Sequence, residues 1–431
     1  MEKYMDKILI FAEKVQSNNY LKAISNGLMG TLAINIIGSI ALLLAVLPID
    51  PWKDFIAYVG IAPYLLTAYS LTVGVLSLYA AFLIGYNLAR NFKQSPLTGA
   101  IISLFCFLMM TPMLQLEAGS TLDSSWLGAQ GLFTAMISSL VFTRIYCFLM
   151  ARKITIKMPE SVPLFVSETF AGLLPAIIVG ALAMLVSFGF GFTSFTSFSG
   201  FVYSIIATPL QSLSSSVWSL LFIVLIQMIL WFFGIHGSLV VGSFITALYL
   251  PMDVANMDAL AAGAMNSDLP NILGQSFYNI FGGIGGAGAT LSLIIVILVF
   301  SKSKQNRTIA NLSAVPGLFT INEPIVFGLP LILNPIMMIP FILSPLVQIL
   351  IAYFGIASGI FPRLSGVQVP FGTPVLINGF IAGGWQIAVL QIICILAACL
   401  LYFPFVKLLD KQQRDEEKAN LHEEVATEPV S

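Results

Sequence analysis

Apolar runs of about twenty residues recur along nearly the whole chain, and this constrains its fold more than any other feature. They occupy residues 26–47, 67–88, 97–114, 132–150, 170–190, 217–233, 280–300, 336–354 and 385–405. A helix rising 1.5 Å per residue crosses a hydrocarbon core about 30 Å thick in roughly twenty residues, so each run is a candidate span. Only 9% of the residues are charged, against about 25% in a soluble domain. A transmembrane barrel would instead show alternating segments of about ten residues. The fold class is an all-α polytopic membrane protein.

Lysine and arginine between the runs set an expected orientation, because such residues accumulate on the cytoplasmic side. Lys3, Lys7, Lys14 and Lys22 precede the first run, Arg90 and Lys93 follow the second, and Arg152, Lys153 and Lys157 follow the fourth. The intervening loops hold only Lys53. The N-terminus, these loops, the cluster SKSKQNR at 301–307 and the C-terminal tail are therefore expected in the cytoplasm. A net charge of −1 and the lack of a basic patch give no reason to expect a nucleic-acid partner.

Four sections follow from the pattern. Residues 1–23, opening MEKYMDKILIFAEKV, mix charges with apolar residues as an interfacial amphipathic helix does. Residues 24–195 carry regular spans. A stretch rich in Ser, Thr, Phe and Gly, GFTSFTSFSGFVYSIIATPLQSLSSS, then opens a second half, 196–406, as a linker with an amphipathic helix in the interface. The tail, 407–431, is polar and charged and is expected to be disordered at its end.

The second half contains the chemistry. In TINEPIVFGLPLILNP, Glu323 is the only charged residue between Thr308 and Pro362. Pro316, Pro324 and Pro330 each lack an N–H and disrupt a continuous helix. Non-helical backbone at membrane depth is tolerated only inside protein or against a watery cavity. A re-entrant hairpin beside a polar cavity satisfies both conditions, and an intramembrane carboxylate is a functional-site candidate. The alternative is an ion pair with Arg144 or Arg363. His236, in FFGIHGSL, lies between Gly234 and Gly237 in a second interrupted segment, and paired interruptions point to a transporter's binding site. The cluster FGGIGGAGATLSL at 281–293 reads as small residues for tight helix packing. Trp385, after PFGTPVLINGFIAGG, has two readings, an interfacial anchor or a platform for a sugar ring. The cysteines Cys106, Cys147, Cys394 and Cys399 lie in apolar runs without CxxC spacing and read as small buried hydrophobes. No metal-ligand cluster, nucleophile triad or P-loop appears, so neither a metal nor a cofactor is expected.

The stretches LKAISNGLMGTLAINIIGSI, IKMPESVPLFVSETFAGLLP, FFGIHG, GGAGATL and FTINEPIVFGLPLILNPIMMIPFILSP occur in one order. Over residues 8–409 they resemble the membrane-spanning IIC component of the bacterial phosphoenolpyruvate-dependent sugar phosphotransferase system, in its lactose/cellobiose/chitobiose branch. The resemblance implies ten spans with two re-entrant hairpins, an N-terminal half that dimerises and a C-terminal half that carries one sugar as an elevator. It implies a permease in the bacterial cell membrane for a β-linked disaccharide, which is phosphorylated by a phosphocysteine on a separate IIB protein supplied by IIA. The tail after Lys407 is too short to hold such a domain. His236 and Glu323 are implied as sugar ligands, Asn322 as a further ligand, and Glu323 as the base for the attacking hydroxyl. SETF departs from the family pattern by placing Glu168 where a neutral residue is expected. The competing expectation is an ion-coupled secondary sugar transporter with Glu323 as its proton site.

Overall fold

The computed structural model describes residues 17–47, 50–116, 119–156, 164–329 and 331–427. Most of the expected N-terminal amphipathic segment, residues 1–16, and Pro330 lie outside these residues, as does the Glu168 side chain. Among the described residues, seven helices are long and apolar enough to cross a bilayer, or eight if one bent pair counts as a span.

In the first half, α1 (Asn19–Gly30) and α2 (Leu32–Val46) make one span. Two shorter helices, α3 (Asp50–Val59) and α4 (Ala62–Ser70), lead through a tight turn to α5 (Leu76–Asn91). Then come α6 (Pro96–Met110), α7 (Leu132–Ala151) and α8 (Leu164–Gly191). The run expected to span 97–114 is helical only to Met110. Thr111 is extended (φ −84°, ψ 136°) because the residue before a proline, here Pro112, is pushed out of the α region. A two-stranded antiparallel hairpin follows, β1 (Met113–Leu116) on β2 (Gly119–Leu122), with Met113 opposite Leu122. This is a small departure from an all-α fold.

The linker stretch folds as α9 (Phe198–Val202), a π turn and α10 (Thr208–Ser214), and bends by 76° into α11 (Val217–Phe232). Next is α12 (Gly237–Ala261), a continuous 25-residue helix. The sequence shows it poorly because Pro251, Asp253 and Asp258 interrupt its apolar run. Its residues Val241, Ile245, Tyr249 and Met252 join a large apolar core drawn from 217–409. Leu250, Val254, Met257 and Leu260 join a second core with Leu28, Leu42, Leu76 and Leu132 of the first half. Both stripes follow helical spacing, so α12 is buried on two faces, between the two cores.

The expected span 280–300 is broken. It holds α13 (Gln275–Phe281), an irregular glycine stretch, and α14 (Thr290–Phe300), a helix of only 11 residues. Gly285, Gly286 and Gly288 have φ of 85°, 104° and 77°, a region that L side chains avoid. The cluster is thus a bend as well as a packing site, since a Cβ on Gly288 would collide with the Phe341 ring. The chain continues through α15 (Lys304–Leu318), α16 (Glu323–Gly328), α17 (Pro335–Ala357), α18 (Ile377–Gly383) and α19 (Trp385–Thr427). The last helix therefore runs through the tail to Thr427, beyond the apolar run that ends at Phe405.

Irregular backbone in a membrane needs partners from protein. Three buried amides supply them. Gln391 accepts from Leu376 N (3.1 Å) and donates to Ile280 O (3.3 Å) and Asn378 Oδ1 (3.0 Å). Gln348 accepts from Ile284 N (3.2 Å). Asn256 accepts from Asn271 N (2.9 Å) and donates to Asn271 O (2.9 Å) and Leu364 O (3.0 Å). Replacing Gln391 by Leu keeps the volume and strands these groups. An unsatisfied buried group costs about 1–3 kcal/mol, so thermal unfolding in detergent should show a destabilisation of at least that size. A melting temperature equal to wild type would show that the backbone at 376 and 280 is satisfied in another way.

Candidate functional site

The broken segments meet around a cavity of about 340 Å³ that polar side chains share with apolar ones, within the roughly 300–1,000 Å³ of small-molecule sites. Its lining includes His236, Asn322 and Glu323 together with Met29 and Leu32 of the first half.

His236 reaches it by two glycine-dependent steps. Ile235 N donates to Leu230 O (2.9 Å) and Gly234 N to Trp231 O (3.0 Å), a Schellman closure of α11 with Gly234 at the left-handed position, φ 80°. Gly237 then passes so close to Gln227 O that a Cβ would not fit. The imidazole stacks beside Trp231, with ring centroids 4.4 Å apart and tilted by 47°. A chain of hydrogen bonds braces this wall. Tyr278 OH donates to Gln227 Oε1 (2.8 Å), Gln227 Nε2 to Ser238 Oγ (3.0 Å) and Trp231 Nε1 to the same oxygen (3.3 Å).

Glu323 arrives from the other side. Ile321 N donates to Pro316 O (3.0 Å) and Thr320 N to Gly317 O (3.2 Å), which closes α15 as Gly234 closes α11. Here the left-handed position holds Thr320, φ 63°, where a β-branched residue is an outlier. Asn322, nearly buried, donates from Nδ2 to Ala287 O (3.2 Å) and so ties the glycine bend to the hairpin. Glu323 itself is exposed to the cavity. Among the described residues it has no ion pair, the one salt bridge being Lys53–Asp50. Arg144 instead donates to Tyr20 OH and sits over Phe92, and Arg363 donates to Leu269 O. The alternative reading of Glu323, an ion pair with one of these arginines, is not found: both have other partners.

The structure brings His236, Asn322 and Glu323 together and leaves Trp385 out. Trp385 starts α19 with 64% of its surface exposed and does not line the cavity, whereas Trp231 does. Sequence reading missed Gln227, Tyr278, Asn279, Gln368 and Asn378, all of which line it. Three of them, Gln227, Asn279 and Asn378, stood as single amides inside apolar runs, in FIVLIQMIL, FYNIFGG and VLINGF.

A bundle of apolar helices whose broken segments converge on a polar cavity is the architecture of a membrane carrier for a polar solute. Residues 25–345 match the family described as Phosphotransferase system, EIIC. The chain belongs to this family and is an integral membrane protein, a permease of the phosphotransferase system. It is 33% identical over 445 residues to the oligo-beta-mannoside-specific EIIC component of Bacillus subtilis (strain 168), covering 99% of this chain and 98% of that one. It is 33% identical to the cellobiose-specific EIIC component of Geobacillus stearothermophilus, covering 96% and 95%. The crystal structure of the transporter ChbC, the IIC component of an N,N'-diacetylchitobiose-specific system, superposes with a TM-score of 0.89 at 36% identity, covering 95% of this chain and 98% of that one.

Thr320 offers a direct test of strain at this site. Left-handed backbone costs an L residue about 1–2 kcal/mol, and glycine returns about 0.5–1 kcal/mol through its freer unfolded chain. Thr320→Gly should therefore raise unfolding stability in detergent by about 0.5–1 kcal/mol. A fall in melting temperature would mean that the Thr320 side chain supports the hairpin more than its backbone strains it.

Proposed function

We propose that the chain translocates a β-linked disaccharide of the cellobiose, chitobiose or lactose class, coupled to its phosphorylation by a separate IIB protein that receives its phosphoryl group from IIA. The observation that carries this reading is the meeting of Glu323, without a cationic partner among the described residues, with His236 and several side-chain amides in one cavity. A carboxylate is an acceptor only, and a disaccharide presents hydroxyl donors at every ring. Trp231 beside His236 supplies an aromatic face for a pyranose ring, and Trp385 serves as an anchor away from the sugar.

In this reading Glu323 accepts a sugar hydroxyl and then takes its proton as that oxygen attacks the phosphocysteine phosphorus. The S–P bond breaks, the thiolate of IIB leaves, and the new O–P bond makes the sugar phosphate. His236 and Asn322 hold the sugar, although Asn322 has one amide hydrogen committed to Ala287 O. The names of the relatives, among them a lichenan permease IIC component, support a β-glycoside as cargo.

The architecture proposed around this site has ten spans and two re-entrant hairpins. The first half, residues 24–195, forms a homodimer. The second, residues 196–406, moves as a carrier, with both termini of the chain in the cytoplasm. The Gly282–Gly288 bend and the Glu323 segment support the hairpins. The alternation of lysines and arginines between spans supports the orientation.

Vesicles holding the purified chain test this reading. Labelled cellobiose should accumulate as its phosphate only when phosphorylated IIB is present on the cytoplasmic side. Accumulation of unmodified sugar driven by a proton gradient would instead show an ion-coupled carrier. In Glu323→Gln, loss of a hydrogen bond to a charged group should weaken binding by about 1.5–3 kcal/mol. Loss of the base should slow phosphorylation by a further factor of about 10²–10⁴. Unchanged values for both would remove Glu323 from the site.

A further inference from the structure

Asp253 is a carboxylate that the sugar chemistry above does not use. It sits in α12 with 1% of its surface exposed and has no cation partner among the described residues. Oδ2 accepts from Ser276 N (2.7 Å) and Gln368 Nε2 (2.9 Å), and Oδ1 accepts from Ser276 Oγ (2.7 Å). Two glycines make room for it. A Cβ on Gly274 would strike its side chain, and one on Gly366, φ 84°, would strike its backbone. Ser276 and Gln368 both line the cavity, Ser276 from the first turn of α13 and Gln368 from the irregular stretch before α18.

The consequence concerns the Gln368 amide. Nε2 donates to two acceptors, Asp253 Oδ2 and Gly366 O (3.0 Å). Turning the amide over would set Oε1 against both of these oxygens. The amide is therefore fixed in one sense, and Oε1 is left as an acceptor on a side chain that lines the cavity. The Asp253 oxygens serve here as acceptors that hold the Gln368 amide in this sense. The backbone is fixed as well, since Gln368 N donates to Ser39 Oγ of α2 (3.2 Å).

We propose that Gln368 is a specificity-determining acceptor for one sugar hydroxyl, and that Asp253 is the positioning residue that aims it. This deepens the proposed function and rests on the cavity being the sugar site. Asp253 touches no sugar in this account. Its carboxylate holds Ser276 and Gln368 and makes the amide discriminate, rejecting a sugar that lacks the matching hydroxyl.

The test is a titration of the purified full-length chain with cellobiose and with its monodeoxy derivatives. A neutral hydrogen bond is worth about 0.5–1.5 kcal/mol, so in the wild type one derivative should bind about three- to tenfold more weakly because it lacks the hydroxyl at Gln368. In Gln368→Leu, cellobiose and that derivative should bind alike, while the penalties for the other hydroxyls remain. Asp253→Asn should keep the wild-type profile. Its oxygen can accept from Gln368 Nε2 and Ser276 N, while its amide donates to Ser276 Oγ after that hydroxyl turns. Asp253→Leu frees the Gln368 amide and should lose the same single discrimination. If Asp253→Leu does not fold, the Gln368→Leu and Asp253→Asn profiles decide the matter alone. A Gln368→Leu profile identical to wild type overturns the inference and leaves the sugar site standing. Asp253→Asn losing binding of every sugar equally would also overturn it, by showing a role for the charge. A wild-type chain that binds no β-linked disaccharide would overturn the proposed function itself, and this inference with it.

Discussion

A peptide group buried in a bilayer without a hydrogen-bond partner costs several kcal/mol, and the second half of this chain is arranged around that cost. Its backbone leaves the helix at 233–236, 282–289, 319–322 and 358–376. These segments are joined to each other and to the flanking helices. Leu333 N donates to Phe232 O (3.0 Å) and Val375 N to Leu318 O (2.8 Å). Tyr402 OH donates to Gly288 O (2.6 Å), and the amides of Asn256, Gln348, Gln391 and Asn322 bind backbone groups that no helix satisfies. The cavity forms where these segments meet, which brings polar groups to a site that a continuous helical bundle would line with apolar ones.

Helix α12 links this arrangement to the rest of the molecule. It contributes apolar stripes to two cores, and Asp253 and Asn256, three residues apart, lie on neighbouring turns and bind irregular segments. Further along, Asp258 accepts from Tyr69 OH (2.6 Å), and Ser39 Oγ donates to Met257 Sδ (3.5 Å). Together with Met29 and Leu32 at the cavity wall, these contacts place the candidate site beside the first half.

The long spans were legible in the sequence because 26–47, 132–150 and 385–405 are almost uninterrupted apolar runs. The site was legible in part. Glu323 and His236 stood out as an acid and a histidine in apolar surroundings, and prolines and glycines marked the breaks around them. Three things were hidden. Helix α12 was obscured by acids whose partners, Ser276, Gln368 and Tyr69, are distant in sequence. The length of α6 was overestimated because apolar residues continue past Thr111 into a strand. The bend at 282–289 looked like packing because sequence does not display φ, whereas the structure shows positive φ at Gly285, Gly286 and Gly288. Trp385 was singled out for its aromatic ring, but Trp231, fixed by Ser238, lies at the cavity.

Among the described residues Glu323 has no cation partner, and in the proposed function this carboxylate, held by broken helices, faces a sugar in the cavity. The most direct measurement is an experimental structure of the full chain with a bound β-linked disaccharide. The account places a sugar hydroxyl within about 2.5–3.0 Å of a Glu323 carboxylate oxygen, with His236 and Trp231 lining the same ring. A sugar bound elsewhere, or Glu323 turned from the cavity onto a lysine or arginine, would contradict it.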